Sequence, residues 1–216
     1  MERKPKRRTR ERILETSLAL FNEFGEPNVT TASIADELGI SPGNLYYHFH
    51  NKDEIIDALF EIFERDMANQ LAAPTERTVH VEDIWLFLHL LFEIVRKYRF
   101  IYRDLSELVT KNRVVETHFK KIVGYQIKIA AAICEGLVAR GDMRASKSEI
   151  QALAVNVIVV TTYWPSFDYV CDPRRPDAGN DFSRGAFQVM SLAAPYLQGE
   201  ARQLLHKLSS QYIGGE

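Results

Sequence analysis

Residues 31–52 constrain the fold of this chain more than any other segment, because two short helix-forming stretches meet there at a glycine. Small Ala35 lies one turn before Gly39, where two helices can cross at close range. Gly39 suits the left-handed backbone conformation that ends a helix. Ser41 and Pro42 are residue types that cap and begin a new helix. The segment therefore predicts a helix-turn-helix.

The second helix of this motif ends in a run of aromatic residues. Leu45 and Phe49 are four residues apart and should face inward, which turns their neighbours toward solvent. Phenol, ammonium and hydroxyl groups can donate hydrogen bonds to DNA phosphates. Thr30 or Thr31 caps the first helix, and the Thr31 hydroxyl at its start can also donate to a phosphate. Short residues at the start of the second helix allow close approach to a major groove, and base readout would fall to Asn44 and its neighbours. The predicted DNA-contacting residues are Thr31, Ser41, Pro42, Gly43, Asn44, Tyr46, Tyr47, His48 and Lys52.

Positive charge is concentrated at the N-terminus. The chain of 216 residues has a formal net charge of −2, yet residues 1–12 hold seven Lys or Arg against two Glu. A basic segment on a near-neutral body predicts a localised contact with a polyanion. We interpret residues 1–8 as a flexible basic arm, because Pro5 interrupts the run of charges, and residues 9–52 as a DNA-binding domain.

Beyond the motif, the sequence predicts helices and no strand, so the predicted fold class is all-α. Residues 53–73 should form a connecting helix and residues 81–216 a larger helical domain, with the connection marked by Pro74. The longest apolar run, residues 150–170, contains polar side chains, so it predicts a buried helix, kinked or ended by Pro165, rather than a membrane span. No secretory signal is recognised, which predicts a cytoplasmic protein with no membrane partner.

Aromatic residues recur along the predicted helices of the larger domain. A single aromatic residue on a helix most often packs in a core. Together, with polar residues among them, these side chains suit a mostly apolar pocket with a few polar groups. The predicted ligand pocket is lined by Trp85, Phe92, Tyr125, Asn156, Trp164 and Phe167.

The last large helix carries one stripe of large and small apolar residues. Paired with the apolar face of residues 147–160, this stripe can build a four-helix interface with its copy across a two-fold axis. Burial within one chain is the alternative interpretation of the same stripe. The predicted interface residues are Phe187, Met190, Ala194 and Leu197.

The sequence shows no pattern typical of an enzyme or a metalloprotein. His48 and His50 are two residues apart and have no Cys or carboxylate at ligand spacing, so no metal site is predicted. Cys134 and Cys171 are predicted to be free, buried thiols. Nothing resembles a nucleophile paired with a base or a phosphate-binding glycine loop. We therefore expect no enzyme, no catalytic residue and no cofactor.

The motif is specific enough to indicate a family. Its sequence runs from Gly39-Ile40-Ser41 into Gly43-Asn44-Leu45-Tyr46-Tyr47-His48-Phe49 and ends at Lys52, and it resembles the DNA-binding domain of the TetR family of bacterial regulators. The resemblance implies a three-helix DNA-binding head, a connecting fourth helix, and a ligand-binding and dimerisation domain over residues 81–216. It implies phosphate contacts at Thr31, Tyr46, Tyr47 and Lys52, and a base-facing surface at Pro42, Gly43, Asn44 and His48. Pro42 departs from the Lys, Arg or Thr often found at its position.

The resemblance also implies the partners of the chain. We expect a homodimer that binds a palindromic operator in double-stranded DNA and represses transcription until a small apolar or amphipathic ligand releases it. Two heads would bind successive major grooves about 34–36 Å apart, and the ligand would favour a conformation in which this spacing is wrong. A regulator of the same fold could instead activate transcription, or its helical domain could bind a protein rather than a small molecule.

Overall fold

The structure, a computed structural model, describes residues 5–71, 78–172, 174, 182–210 and 212. Its helices are α1 (Pro5–Phe24), α2 (Thr31–Leu38), α3 (Pro42–His48), α4 (Lys52–Gln70), α5 (Glu82–Lys97), α6 (Arg99–Arg103), α7 (Leu105–Lys111), α8 (Arg113–Arg140), α9 (Lys147–Cys171), α10 (Phe182–Ala193) and α11 (Gly199–Ser210). Short 3-10 turns follow α1 at Glu26–Asn28 and α10 at Ala194–Tyr196. The described residues form no strand, and the predicted all-α fold class is confirmed.

The chain divides into two compact units. The N-terminal unit consists of Met1–Arg65 and Tyr98–His118, and the C-terminal unit consists of Asp66–Lys97 and Phe119–Glu216. Two helices, α4 and α8, therefore contribute residues to both units. The N-terminal unit includes α6 and α7, which lie after the boundary that the sequence suggests near Pro74.

Aromatic and branched side chains form the core of the N-terminal unit. Phe21 of α1 and Phe100 of α6 are fully buried, with ring centroids 5.3 Å apart. Ile34 of α2 and Leu45 of α3 are also fully buried. Each such side chain stabilises the fold by about 1.5–3 kcal/mol when it leaves water. Burial of Leu45 fixes which face of α3 points inward and leaves the opposite face to solvent.

Polar contacts attach α6 to the C-terminal end of α1. Arg99 Nε donates to the carbonyl of Asn22 at 2.8 Å, and the backbone N–H of Phe100 donates to Asn22 Oδ1 at 3.0 Å. Arg103 Nη2 donates to the carbonyl of Phe21 at 2.9 Å. The last carbonyls of a helix have no partner within the helix, and two of them are satisfied here by arginine side chains.

In the C-terminal unit, α10 packs closely against α9 and α5. The closest approach occurs at Gly185, where an added Cβ would lie 2.8 Å from two ring atoms of Trp164 and 3.0 Å from Phe92 Cζ. Phe92 also lies 5.7 Å from Phe182 between ring centroids. Glycine at position 185 therefore allows an aromatic cluster from three helices to close around α10.

Three features differ from the sequence-based expectations or fall outside the structure. α1 begins at Pro5, where proline is tolerated as a first helical residue, so residues 5–8 are helical and residues 1–4 lie outside the described part. Pro165 does not end α9, which continues to Cys171, because burial of Pro165 in the core offsets the loss of one backbone hydrogen bond. The connection around Pro74 also lies outside the described residues.

Two glycines of α8 should respond in opposite ways to replacement by alanine. At Gly136, a Cβ would lie 2.6 Å from Val79 Cγ2, so Gly136→Ala should destabilise the protein by about 1–3 kcal/mol through overpacking. At Gly124, a Cβ would meet no described atom within 4 Å, so Gly124→Ala should stabilise the helix by about 0.5–1 kcal/mol. Urea unfolding measures both changes. Equal midpoints for the two variants would contradict the packing described here.

Candidate nucleic-acid interface

Local hydrogen bonds form both the start of α2 and the turn between α2 and α3. Thr30, one of the two predicted caps, accepts from the N–H of Ser33 at 3.1 Å, while Ser33 Oγ accepts from the N–H of Thr30 at 3.0 Å. Gly39 ends α2 in the left-handed conformation, with φ of 64°. Ser41 then caps α3 by accepting from the N–H of Asn44 at 3.2 Å, and Pro42 is the first helical residue. The turn chemistry inferred from the sequence is therefore present at each position.

The outward face of α3 carries most of the predicted DNA-contacting residues. Leu45 and Phe49 are buried, whereas Tyr47 is 65% exposed and packs edge-on against His48, with ring centroids 5.3 Å apart. An added Cβ at Gly43 would meet no described atom within 4 Å, so the backbone there is open to a partner. The exposed residues of this face are Ser41, Pro42, Gly43, Asn44, Tyr46 and Tyr47, and His48 is half-buried.

The start of α2 lies next to this face. Thr31 Oγ1 is 3.3 Å from Tyr46 Oη, and either hydroxyl can be the donor. The hydroxyl that accepts in this pair keeps its own O–H, which can donate to a further oxygen such as one from a phosphate. The structure thus brings together Thr31 and Tyr46, which are 15 residues apart in sequence.

Lys52 is placed differently from the other predicted contacts. Its ammonium donates to the carbonyls of Glu26 at 3.0 Å and Val29 at 3.1 Å. It also pairs with Glu26 Oε1 at 2.6 Å. The sequence did not indicate a role for Glu26, because a pairing across 26 residues leaves no periodic signal. All three contacts of Lys52 are made with the turn that precedes α2.

Glu26 has a second partner, on the segment that joins α6 to α7. Its backbone N–H donates to Asp104 Oδ2 at 3.0 Å. Burial raises the pKa of Asp104, although this hydrogen bond and Arg103 favour the ionised form.

At the opposite end of the motif, hydrogen bonds from the backbone and ring of His50 lower the pKa of Glu54. Glu54 is thereby bound to His50 at the entry to α4.

Basic side chains of α1 add positive charge to this unit. Arg8, Arg10 and Arg12 are exposed, and the Arg10 guanidinium lies 4.8 Å from the ring centroid of Phe49. This cation–π contact joins α1 to the residue that ends α3. Side chains of residues 1–7, which hold the remaining charges of the predicted arm, lie outside the described part of the chain.

The six residues predicted to line a ligand pocket do not share one location. Phe92 and Trp164 are buried and meet at Gly185, and Trp164 lies 5.5 Å from Phe167 between ring centroids. Trp85 is half-buried and stacks on His89. The remaining members of the predicted set are exposed on helix surfaces: Tyr125, Asn156 and Phe167.

A separate apolar cavity of about 30 Å³ lies in the C-terminal unit. Its lining includes Cys134, and burial raises the pKa of this thiol to about 11, so the thiol stays protonated near neutral pH. The other cysteine, Cys171, is exposed, contrary to the sequence-based expectation. No sequence signal distinguishes the residues that line the cavity from other core positions. The cavity is lined by Ile84, Phe87, Leu88, Ala130, Ile133, Cys134, Leu153, Ala154, Val157, Val189 and Ala193.

Two of the predicted interface residues are exposed enough to meet a partner. Met190 and Leu197 are each 1% exposed, so they belong to the core of their own chain. Phe187 and Ala194 are half-buried. The sequence analysis placed the apolar face of residues 147–160 in this interface without naming its residues. In the structure, exposed apolar side chains recur every three or four residues along α9, continue beyond residue 160, and are at least 43% exposed. We call this the α9 stripe, and it consists of Val155, Val159, Tyr163, Phe167 and Val170.

Adjacent threonines at the start of α2 should have separable roles. Thr30→Ala removes the helix cap and should cost about 0.5–2 kcal/mol of stability. Thr31→Val removes the hydroxyl beside Tyr46 and should weaken DNA binding, while stability changes by no more than about 0.5 kcal/mol. Thermal unfolding and fluorescence anisotropy with labelled DNA measure the two effects. Loss of stability in Thr31→Val equal to that in Thr30→Ala would contradict this division.

Comparisons with known proteins agree with this arrangement. The family described as bacterial regulatory proteins, tetR family, matches residues 13–59, and the family described as bacterial transcriptional repressor matches residues 62–205. The repressor KstR2 of Mycobacterium tuberculosis is 39% identical over 72 residues, which are 30% of this chain and 36% of that protein. The matched part thus spans about a third of the length of this relative.

Solved structures extend the similarity to nearly the whole chain. A regulator from Saccharomonospora viridis in complex with choline has a TM-score of 0.69 at 16% identity, covering 89% of this chain and 100% of its own, and shows the fold alone. A TetR-family transcriptional regulator from Marinobacter aquaeolei VT8 has a TM-score of 0.85 at 33% identity, covering 94% of this chain and 98% of its own. With a family match over most of the sequence as well, this chain belongs to the TetR family of bacterial transcriptional regulators.

Proposed function

We propose that the protein is a homodimeric repressor that binds a palindromic DNA operator and releases it when a small apolar or amphipathic ligand binds. The single observation that carries this proposal is the outward face of α3. It is a capped helix whose exposed residues are short at its start and aromatic toward its end. Such a helix can enter a major groove at its N-terminal end while its later side chains reach the phosphate backbone.

Within this surface, the residues divide by chemistry. Thr31, Tyr46 and Tyr47 present hydroxyl groups, which suit phosphate oxygens and fix the register of the protein on DNA. Asn44 offers an amide that can bond to the edge of a base, and Gly43 permits its close approach. The proposed base-facing residues are Pro42, Gly43, Asn44 and His48, with Ser41 capping the helix that presents them.

Dimerisation is proposed through the α9 stripe together with the exposed part of α10. An exposed patch of this apolar character marks an interaction surface in soluble proteins. Half-buried Phe187 of α10 and Ala194, which directly follows α10, are further candidates, because α10 packs against α9 within the chain. Two copies related by a two-fold axis would bury both helices in a four-helix interface. A dimer of this kind presents two α3 helices to the two halves of a palindromic operator.

The proposed ligand site is the cavity beside Cys134. Its present volume of about 30 Å³ is far below the roughly 300–1,000 Å³ of drug-sized pockets, so ligand binding requires the cavity to enlarge. Its lining is apolar, and the protonated thiol of Cys134 adds no charge, which favours an apolar ligand. The choline complex of the Saccharomonospora viridis regulator supports the view that this fold can hold a small molecule. Ligand binding would act by shifting the population of conformations.

We further propose a cytoplasmic location and no catalytic activity. α8 and α9 are long and apolar enough to span a membrane by length and composition, but core helices of soluble proteins meet the same test, and about half of each apolar stretch is buried. In the part of the chain that the structure describes, no group of three or more His, Cys, Asp or Glu residues could hold a metal ion. The match to a family of transcriptional regulators supports this proposal.

Selection of bound sequences from random DNA tests the proposed function. The wild-type protein should enrich an inverted repeat whose half-sites lie about one helical turn apart. A second selection with an apolar extract of cell metabolites should recover less of this sequence, because the ligand releases the protein. No enriched sequence would overturn DNA recognition, and enrichment that every extract fraction leaves unchanged would overturn ligand release.

The dimer proposal predicts opposite outcomes for two exposed valines. Val159→Asp places a charge in the α9 stripe and should yield a monomer that binds the operator about 100-fold or more weakly, because the two half-sites are no longer bound together. Val114→Asp changes a valine of similar exposure on α8, outside the stripe, and should remain dimeric. Light scattering measures the mass of each variant. A dimeric Val159→Asp variant would exclude the α9 stripe as the interface.

A further inference from the structure

The ammonium group of Lys52 has a complete set of partners within its own unit. It has three N–H donors, and three oxygens lie within hydrogen-bonding distance: two carbonyls, from Glu26 and Val29, and Glu26 Oε1. A phosphate oxygen could therefore be bound only by displacing one of these partners. In this geometry Lys52 lacks a free donor for DNA.

Displacing the lysine would also destabilise the protein at Glu26, because its carboxylate would lose its charge partner. Glu26 is only 6% exposed, and a buried carboxylate is stable only when it is paired and hydrogen-bonded. Lys52 Nζ, at 2.6 Å, supplies its charge partner. Moving the ammonium to a phosphate would leave this buried carboxylate without its charge partner, so the internal pairing is favoured.

The three oxygens bonded to Lys52 belong to the segment that leads into α2. Val29 immediately precedes Thr30, the residue that caps α2. Lys52 is itself the first residue of α4 and lies four residues after the end of α3. Its side chain therefore joins the start of α2 to the exit from α3, and these two points bracket the helix-turn-helix.

We propose that Lys52 is a positioning residue that orients α3 through Glu26 and Val29, and that it does not neutralise a DNA phosphate. This inference rests on the proposed DNA-binding function and assigns Lys52 a role within it. It separates Lys52 from Tyr46 and Tyr47, whose side chains are 47% and 65% exposed. Lys52 acts on DNA affinity only through the placement of α3.

A double-mutant cycle on the full-length dimer tests this role. Lys52→Met, Glu26→Gln and the double variant are compared with wild type for affinity to the selected operator, at temperatures far below their unfolding midpoints. Both single variants should bind about tenfold more weakly, and the double variant no more weakly than the worse single one, because either change breaks the same contact. Lys111→Met is the control, since Lys111 forms an exposed pair with Glu107 and should bind as wild type.

The salt dependence of binding provides the readout that separates the two roles. Each phosphate contact contributes about 0.9 to the slope of log affinity against log salt concentration. The slope for Lys52→Met should equal that of wild type if Lys52 only positions α3. A slope reduced by about 0.9, or a Glu26→Gln variant that binds as well as wild type, would overturn the proposal.

Failure of Lys52→Met to fold and failure of the wild type to bind DNA are distinguished from failure of the positioning role. If Lys52→Met does not fold, Lys52→Gln retains amide donors for the two carbonyls while removing the charge, and the same slope comparison applies to it. If the wild-type protein binds no operator, the proposed function fails and this role fails with it. Binding by wild type together with a lower slope in the Lys52 variants overturns the positioning role alone.

Discussion

The buried carboxylate of Glu26 is the interaction on which the N-terminal unit depends. An ionised group at 6% exposure must be paired, and Lys52 supplies the pairing from the start of α4. The backbone N–H of Glu26 donates to Asp104, which follows α6. The neighbouring Arg103 donates to a carbonyl at the end of α1. The short turn that holds Glu26 is therefore bonded both to the start of α4 and to the segment that follows α6. The helix-turn-helix is held by these contacts as well as by its own apolar core.

Local signals in the sequence were sufficient to predict the motif and its family. The caps at Thr30 and Ser41, the left-handed Gly39 and the buried Leu45 each follow from a residue type at a fixed offset, and each is present. The all-α fold class follows from the same periodicity and is confirmed. Contacts between residues far apart in the chain leave no such signal. The placement of Lys52 on Glu26, instead of at an exposed site facing a phosphate, could be learned only from the fold.

The C-terminal unit shows why sequence patterns resolve a regulatory domain less well. An apolar stripe has the same spacing whether it faces the core of its own chain or a second copy, so Met190 and Leu197 could not be distinguished from true surface residues. Aromatic residues are equally ambiguous, since Trp164 packs against Gly185 while Tyr125 is exposed. Small residues determine which helices approach closely, and their neighbours depend on the complete packing. The exposed residues of the α9 stripe and the cavity beside Cys134 are identified only at that level.

In the proposed mechanism, a dimer binds DNA through two copies of the N-terminal unit, and a change in the C-terminal unit alters the spacing between the two copies. Hydroxyl-radical footprinting of the selected operator tests this claim most directly. It should show two protected patches of backbone, centred about 34–36 Å apart along the helix axis, that disappear together as the protein is diluted. A single patch, or two patches lost at different protein concentrations, would contradict binding by a preformed dimer.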